Sequence, residues 1–232
     1  MNDDTFDASD CGAHLNAAEF NALIAKRDTI LIDMRNHYES EVGHFKGAIL
    51  PDVDTFREEI DQVEQMLQGQ EQRDIALYCT GGIRCEKASA YLKHKGFSNV
   101  HQLNGGIIEY TRQVREQGLD NLYVGKNFVF DERLAERITE DVVASCHQCG
   151  APCDEHTNCV NLGCNLLFIQ CPKCAETFEG TCGRDCQTVI HLPEEEQASL
   201  RKGQTAKARY SKGRLRPKRP CLSADDLKIR RG

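Results

Sequence analysis

Apolar positions recur along the first half of the chain in two rhythms. One is helical: Phe20, Leu23 and Ile24 within residues 17–26, and Phe56, Ile60, Val63 and Leu67 within 54–67, each share a face. The other is a short unbroken apolar run, Ile30 to Ile32 within a strand at 29–33 and Ile75 to Tyr78 within one at 74–78, which suits strands buried on both faces. Asn16 is placed to cap the first helix. Further helical patterns at 86–95 and 107–116 stop at Gly96 and Gly118, and Val100 to Leu103 offers another short strand. Strands alternating with helices predict an α/β fold, a parallel sheet in three layers with right-handed crossovers. Such sheets bind ligands at the carboxyl ends of their strands, where Asp33, Arg35 and Cys79 all fall. The pattern divides the chain into an acidic leader (1–14), an α/β domain (15–118), a connecting segment (119–145), a cysteine-rich module (146–198) and a basic tail (199–232). Within the connection, Phe128 to Asp131 offers a strand or a cover over the edge of the site.

The strand at 74–78 runs directly into Cys79-Thr80-Gly81-Gly82-Ile83-Arg84-Cys85, after which the helical pattern begins. A cysteine between strand end and helix start meets converging backbone N–H groups and the positive end of the helix. Arg84 adds a charge that neutral pH does not remove. All three favour thiolate over thiol, so Cys79 is the candidate nucleophile, expected at the rim of a pocket with a lowered pKa. Cys85 opens the helix as either a resolving thiol or a packing residue.

A chain of 232 residues accommodates one ordinary domain and a smaller one. No apolar run is long enough to span a bilayer and the first residues are acidic, so the expected compartment is the cytoplasm, with no membrane partner. Thirteen cysteines change the picture, because nine lie between Cys146 and Cys186. Clustering of this kind in an intracellular chain points to metal rather than disulfides. Cys146-x-x-Cys149 and Cys171-x-x-Cys174 have the spacing of a four-thiolate zinc site. The remaining cysteines, with His147 or His156 as spare ligands, leave room for a second site. Iron–sulfur ligation needs the same four thiolates and stays open. From Ser199 onward, twelve Lys or Arg face two acids, although the whole chain carries −7. A tail of this composition is expected to be disordered alone, and either contacts nucleic acid phosphates or docks on the acidic body.

Several of these pieces resemble a known family. Cys79-x-x-Gly82-x-Arg84 is similar to the active-site loop of rhodanese-type domains, whose cysteine carries sulfur as a persulfide. Asp33-Met34-Arg35, Glu39 with Gly43-His44-Phe45-Lys46-Gly47-Ala48, and Leu103-Asn104-Gly105-Gly106 follow in that family's order. Four residues separate Cys79 from Arg84, the sulfurtransferase-like loop length and not the longer loop of related phosphatases. The Cys-His-Gln-Cys-Gly-Ala-Pro-Cys and Phe168-Ile169-Gln170-Cys171-Pro172-x-Cys174 segments narrow the resemblance to rhodanese-containing tRNA uridine(34) hydroxylases.

That resemblance implies a rhodanese-like fold, Cys79 and Arg84 as catalytic residues, and Thr80, Gly81, Gly82, Ile83 and Cys85 as the active-site loop, with Asp33 and Arg35 near the pocket mouth. It implies oxygen-dependent formation of 5-hydroxyuridine at the wobble position, with tRNA as partner and molecular oxygen as co-substrate. It also implies a small α/β domain preceding the rhodanese part, and this chain starts almost at the rhodanese part. No flavin or nicotinamide fingerprint is visible in the sequence, which leaves an electron donor to be supplied. The alternatives are a sulfurtransferase that takes sulfur from a donor to Cys79, and a non-catalytic RNA-binding module.

Overall fold

A computed structural model describes residues 7–130, 134–202 and 209–210. The chain divides into two compact units that part between Glu140 and Asp141.

The first unit runs β1 (Ala13–Leu15), α1 (Ala17–Ile24), β2 (Ile30–Asp33), α2 (His37–Ser40), β3 (Gly43–Phe45), α3 (Phe56–Leu67), β4 (Ile75–Tyr78), α4 (Ile83–His94), β5 (Val100–Leu103), α5 (Gly106–Gln117), β6 (Tyr123–Phe128) and β7 (Ala135–Arg137). Four strands form a sheet in the order β1-β5-β4-β2, every pairing parallel. Its buried strands explain the unbroken apolar runs. Ile30, Ile32, Ile75 and Leu77 join one core with residues of α3 and α4, while Leu31, Ala76 and Tyr78 join another with residues of α1 and α5. Alternate side chains thus fill opposite layers, and both faces need apolar residues. Capping boxes at Asn16 with Glu19 and at Thr55 with Glu58 start α1 and α3.

The first unit departs from the sequence reading at its end. The α/β domain was expected to close at 118, but β6 and β7 extend it: β6 pairs antiparallel with β3 and with β7. The strand expected around Phe128 to Asp131 lies earlier, at 123–128. Lys126 and Asn127 disguise it, being polar in sequence yet buried in the fold. Strands β1 and β3, three residues each, were too short to carry a pattern.

The second unit contains β8 (His156–Asn158), β9 (Leu166–Ile169), α6 (Pro172–Phe178), α7 (Arg184–Ile190), α8 (Glu194–Arg201) and β10 (Arg209–Tyr210). Its sheet has the order β10-β9-β8. The basic tail expected from Ser199 starts inside α8, and Arg209–Tyr210 pair in parallel with β9. The rest of that tail, with 203–208 and 211–232, lies outside the described residues. One apolar cluster among its described residues consists of Cys159, Leu166 and Phe168, with three more cysteines packed against it.

Candidate active site

Cys79 leaves β4 at its carboxyl end, and α4 begins four residues later at Ile83. The helix starts three residues earlier than the pattern from Glu86 suggested, so Arg84 and Cys85 stand on its first turn rather than in the loop. Gly82 makes this turn with φ +95°, a left-handed conformation suited to glycine. Its N–H then donates to Cys79 Sγ at 3.1 Å. The loop is clamped from below by the start of α5. The N–H groups of Ile107 and Ile108 donate to the carbonyls of Cys79 and Thr80 at 3.0 and 3.2 Å. Gly106 permits that approach: a Cβ there would stand 2.5 Å from the Cys79 carbonyl oxygen. The Gly105-Gly106 pair therefore shapes the Cys79 loop, with Gly106 standing 27 residues downstream of Cys79 in the chain.

The Cys79 thiol is held down to about 6. The Cys85 thiol, as hydrogen-bond donor to Cys79, contributes most to this shift. The Arg84 charge and the amides of Cys85 and Gly82 add to it, against burial that acts the other way. Cys85 itself is pushed well above its ordinary value by burial and by that same hydrogen bond. It sits in the α3–α4 core and supplies a proton to the neighbouring sulfur.

Arg84 has a second engagement that the loop motif did not reveal. Its Nη1 and Nη2 donate to Glu39 Oε2 and Oε1 at 2.7 and 2.8 Å, and Thr80 Oγ1 donates to Glu39 Oε1 at 3.3 Å. Glu39, fully buried on α2, thereby fixes the guanidinium and the loop together. A second buried carboxyl, Glu59 on α3, went unremarked in the sequence as one acid among many on an amphipathic helix. Neither of its oxygens has a hydrogen-bond partner among the described residues. Burial pushes its pKa well above the usual carboxyl range, and the charges of Asp33, Glu39 and Cys79 push the same way while Arg84 opposes. Burial therefore favours the protonated form of Glu59, close to the Cys79 sulfur.

Two expectations about the site are corrected. Asp33 and Arg35 do not stand at a pocket mouth; both are fully buried. Arg35 Nε and Nη2 donate to the two carboxylate oxygens of Asp33 at 2.8 and 2.7 Å, and Nη2 also donates to the Gly43 carbonyl at 2.6 Å. Its Nη1 reaches Asn127 at 3.4 Å, and its guanidinium lies 5.8 and 5.9 Å from the Tyr78 and Tyr123 rings. The pair ties the end of β2 to β3 and β6. Nor does Cys79 stand open at a rim: it is 1 % exposed, beneath its own loop. Gly81 and Ile83 form the exposed outer surface, Ile83 at 75 %. A polar cleft of about 830 Å³ lined by Arg27, Asp28, Arg73 and Asp74 opens at the amino ends of β2 and β4, the opposite end of the sheet from Cys79.

In the second unit, the Sγ atoms of Cys146, Cys149, Cys171 and Cys174 lie within 4.8 Å of one another. Cys149 and Cys171 are 3.6 Å apart, and the Cys171 N–H donates to Cys146 Sγ at 3.3 Å. A tetrahedral zinc with Zn–S bonds of ~2.3 Å spaces its sulfurs ~3.8 Å apart, so the donor set fits one such ion.

These features define a rhodanese-like protein: a parallel three-layer sheet that delivers a cysteine into an amide-lined turn. The comparisons agree. A rhodanese-like domain matches residues 16–113, and a rhodanase C-terminal region matches 124–187. Proteins named tRNA uridine(34) hydroxylase from Leptospira interrogans and Cronobacter sakazakii are 56 % and 59 % identical to the chain, over 94 % and 88 % of it. One from Photorhabdus laumondii is 56 % identical over 93 %. The chain belongs to this rhodanese-domain tRNA uridine(34) hydroxylase family. It spans about 60 % of the length of these relatives (60 %, 58 % and 62 %).

Proposed function

We propose that the chain hydroxylates uridine 34 of tRNA to 5-hydroxyuridine, with molecular oxygen as co-substrate and Cys79 as the nucleophile. The single observation behind this reading is a cysteine with a pKa of about 6 in the rhodanese loop of a chain whose relatives carry that name. At neutral pH a thiol of that pKa is mostly thiolate, the form that attacks carbon or oxygen electrophiles. Cys85 and the Gly82 amide hold the sulfur anionic, Arg84 fixes the loop through Glu39, and the neutral Glu59 spares the site a further negative charge. Because Cys79 is covered, the outer loop has to move for a base to reach it. A wobble base is unstacked at low cost, which suits delivery to such a recessed atom. Hydroxylation by molecular oxygen, with one oxygen atom leaving as water, also consumes two electrons, for which an electron donor is proposed as a further partner. We assign zinc to Cys146, Cys149, Cys171 and Cys174, where it would supplement a small apolar core as a structural ion. Cytoplasm is the proposed compartment; no described helix is long and apolar enough to cross a membrane.

The test is mass spectrometry of wobble nucleosides from a strain deleted for its own enzyme and expressing this chain. 5-Hydroxyuridine is expected with the wild type and absent with Cys79→Ser. Equal modification by both refutes the role of Cys79. Rapid thiosulfate-to-cyanide sulfur transfer without wobble modification would point to the sulfurtransferase alternative instead.

A further inference from the structure

The cysteines of the second unit fall into four successive pairs, Cys146 with Cys149, Cys159 with Cys164, Cys171 with Cys174, and Cys182 with Cys186, leaving Cys153 over. The first and third pairs form the cluster already described. The second and fourth form another, whose four Sγ atoms also lie within 4.8 Å of one another. We propose that Cys159, Cys164, Cys182 and Cys186 bind a second zinc ion, so that two zincs interlock the unit in a cross-brace.

Distances favour a single ion. Cys164 and Cys182 sulfurs are 3.7 Å apart, and those of Cys182 and Cys186 are 3.6 Å apart. Both match the ~3.8 Å edge of a four-thiolate zinc tetrahedron and are far from the ~2.05 Å of a disulfide. An iron–sulfur cluster, with several metal and sulfide atoms inside the ring of thiolates, would hold those thiolates further apart than the 4.8 Å limit here.

Local hydrogen bonding treats the sulfurs as anions. The Cys182 N–H donates to Cys159 Sγ and the Asn161 side-chain amide donates to Cys186 Sγ, each at 3.4 Å. Asn161 also accepts from the Gly163 N–H at 3.0 Å, which shapes the turn carrying Cys159 and Cys164. On the other side, Cys182 and Cys186 straddle the start of α7, which begins at Arg184. Two preformed knuckles thus face each other, as a tetrahedral ion requires.

Burial supplies the need. Leu166, Phe168 and Cys159 form one apolar cluster among the described residues, and Cys164, Cys182 and Cys186 pack against it. Among the described residues the unit's other buried apolar side chains are Ala144, Leu167 and Ile169 beside the cysteines, a small core of the kind that a metal staple stabilises. Zinc binding converts the thiols to thiolates and releases their protons to solvent, with no change of oxidation state. Because the pairs alternate along the chain, each ion closes a loop containing one pair of the other site's ligands. Neither half of the unit then forms independently.

Native mass spectrometry of the full chain, purified under reducing conditions without chelator, is expected to show two zinc ions per chain. One zinc per chain, or iron with acid-labile sulfide, overturns the proposal. A variant carrying Cys159→Ser and Cys186→Ser is expected to hold at most one zinc, and retention of two overturns the assignment. Because the interlock can cost that variant its fold, cobalt titration of the metal-free wild type gives a second reading. Thiolate-to-cobalt absorption should saturate at two equivalents; saturation at one equivalent overturns the proposal.

Discussion

Glu59→Gln is the perturbation that most directly questions the electrostatics of the site. The Glu59 carboxyl is fully buried, has no hydrogen-bond partner among the described residues and sits near the charges of Asp33, Glu39 and Cys79. Its pKa is raised well above the ordinary 4.5, so the folded chain keeps the proton that the unfolded chain gives up. For a raised carboxyl the stabilising contribution is complete below 4.5 and is lost as pH climbs towards the folded value. The loss amounts to about 1.4 kcal/mol for each pH unit in that interval, the linkage slope for one proton. Glutamine keeps the shape and has no proton to lose. The variant should therefore match the wild type near pH 4.5 and gain on it by about 1.4 kcal/mol per unit above that. Urea unfolding of both proteins at pH 5, 6, 7 and 8, followed by circular dichroism, reads the difference directly. All other titrating groups are common to both chains and cancel. A stability gap that stays constant from pH 5 to pH 7 would refute the claim that Glu59 is neutral in the folded protein.

Four more expectations follow from the geometry. Alkylation of Cys79, followed by peptide mass spectrometry, should fall roughly tenfold per pH unit below its pKa of about 6, and Cys85→Ala should move that midpoint upward because it removes the leading hydrogen bond. Equal midpoints would remove Cys85 from the account. Gly106→Ala should impair wobble modification and lower stability together, since a Cβ collides with the Cys79 and Thr80 carbonyls at 2.5 and 2.6 Å at a left-handed backbone position; nucleoside analysis and a thermal melt read the two effects, and an unchanged melt would refute the clamp. Arg35→Met leaves Asp33 buried and unpaired, with an expected cost of about 3–5 kcal/mol in denaturant unfolding. Prolonged treatment with a strong chelator should melt helical signal and expose free thiols in the second unit, which a thiol-reactive dye would count.

Much of the α/β domain was legible in sequence because its information is local. Apolar runs of four residues with helical patterns between them admit one economical arrangement, and the structure has the expected parallel sheet in three layers. Cys79 was legible for the same reason, because strand, glycines, arginine and helix follow one another within ten residues. What sequence left open were relations between distant segments. Glu39 reaches Arg84 across 45 positions, and Gly106 shapes a loop that precedes it by about 25. Lys126 and Asn127 are polar residues that nothing local marks as buried, yet both lie in the core, Asn127 beside Arg35. Asp33 and Arg35 were correctly placed at a strand end but wrongly given to solvent. Strand position says which end of the sheet a residue occupies, while burial depends on the β3–β6 layer folded over it.

The order of residues alone determined the layered sheet, the placement of Cys79 in a strand-to-helix turn and the closely spaced cysteine pairs, since each depends on neighbours a few positions apart. Only the tertiary structure decided that the sulfur is covered, that burial favours the protonated form of Glu59 and which cysteines face which. Burial and long-range pairing set those properties, and both arise from the packing of segments whose contacts are not written in local spacing.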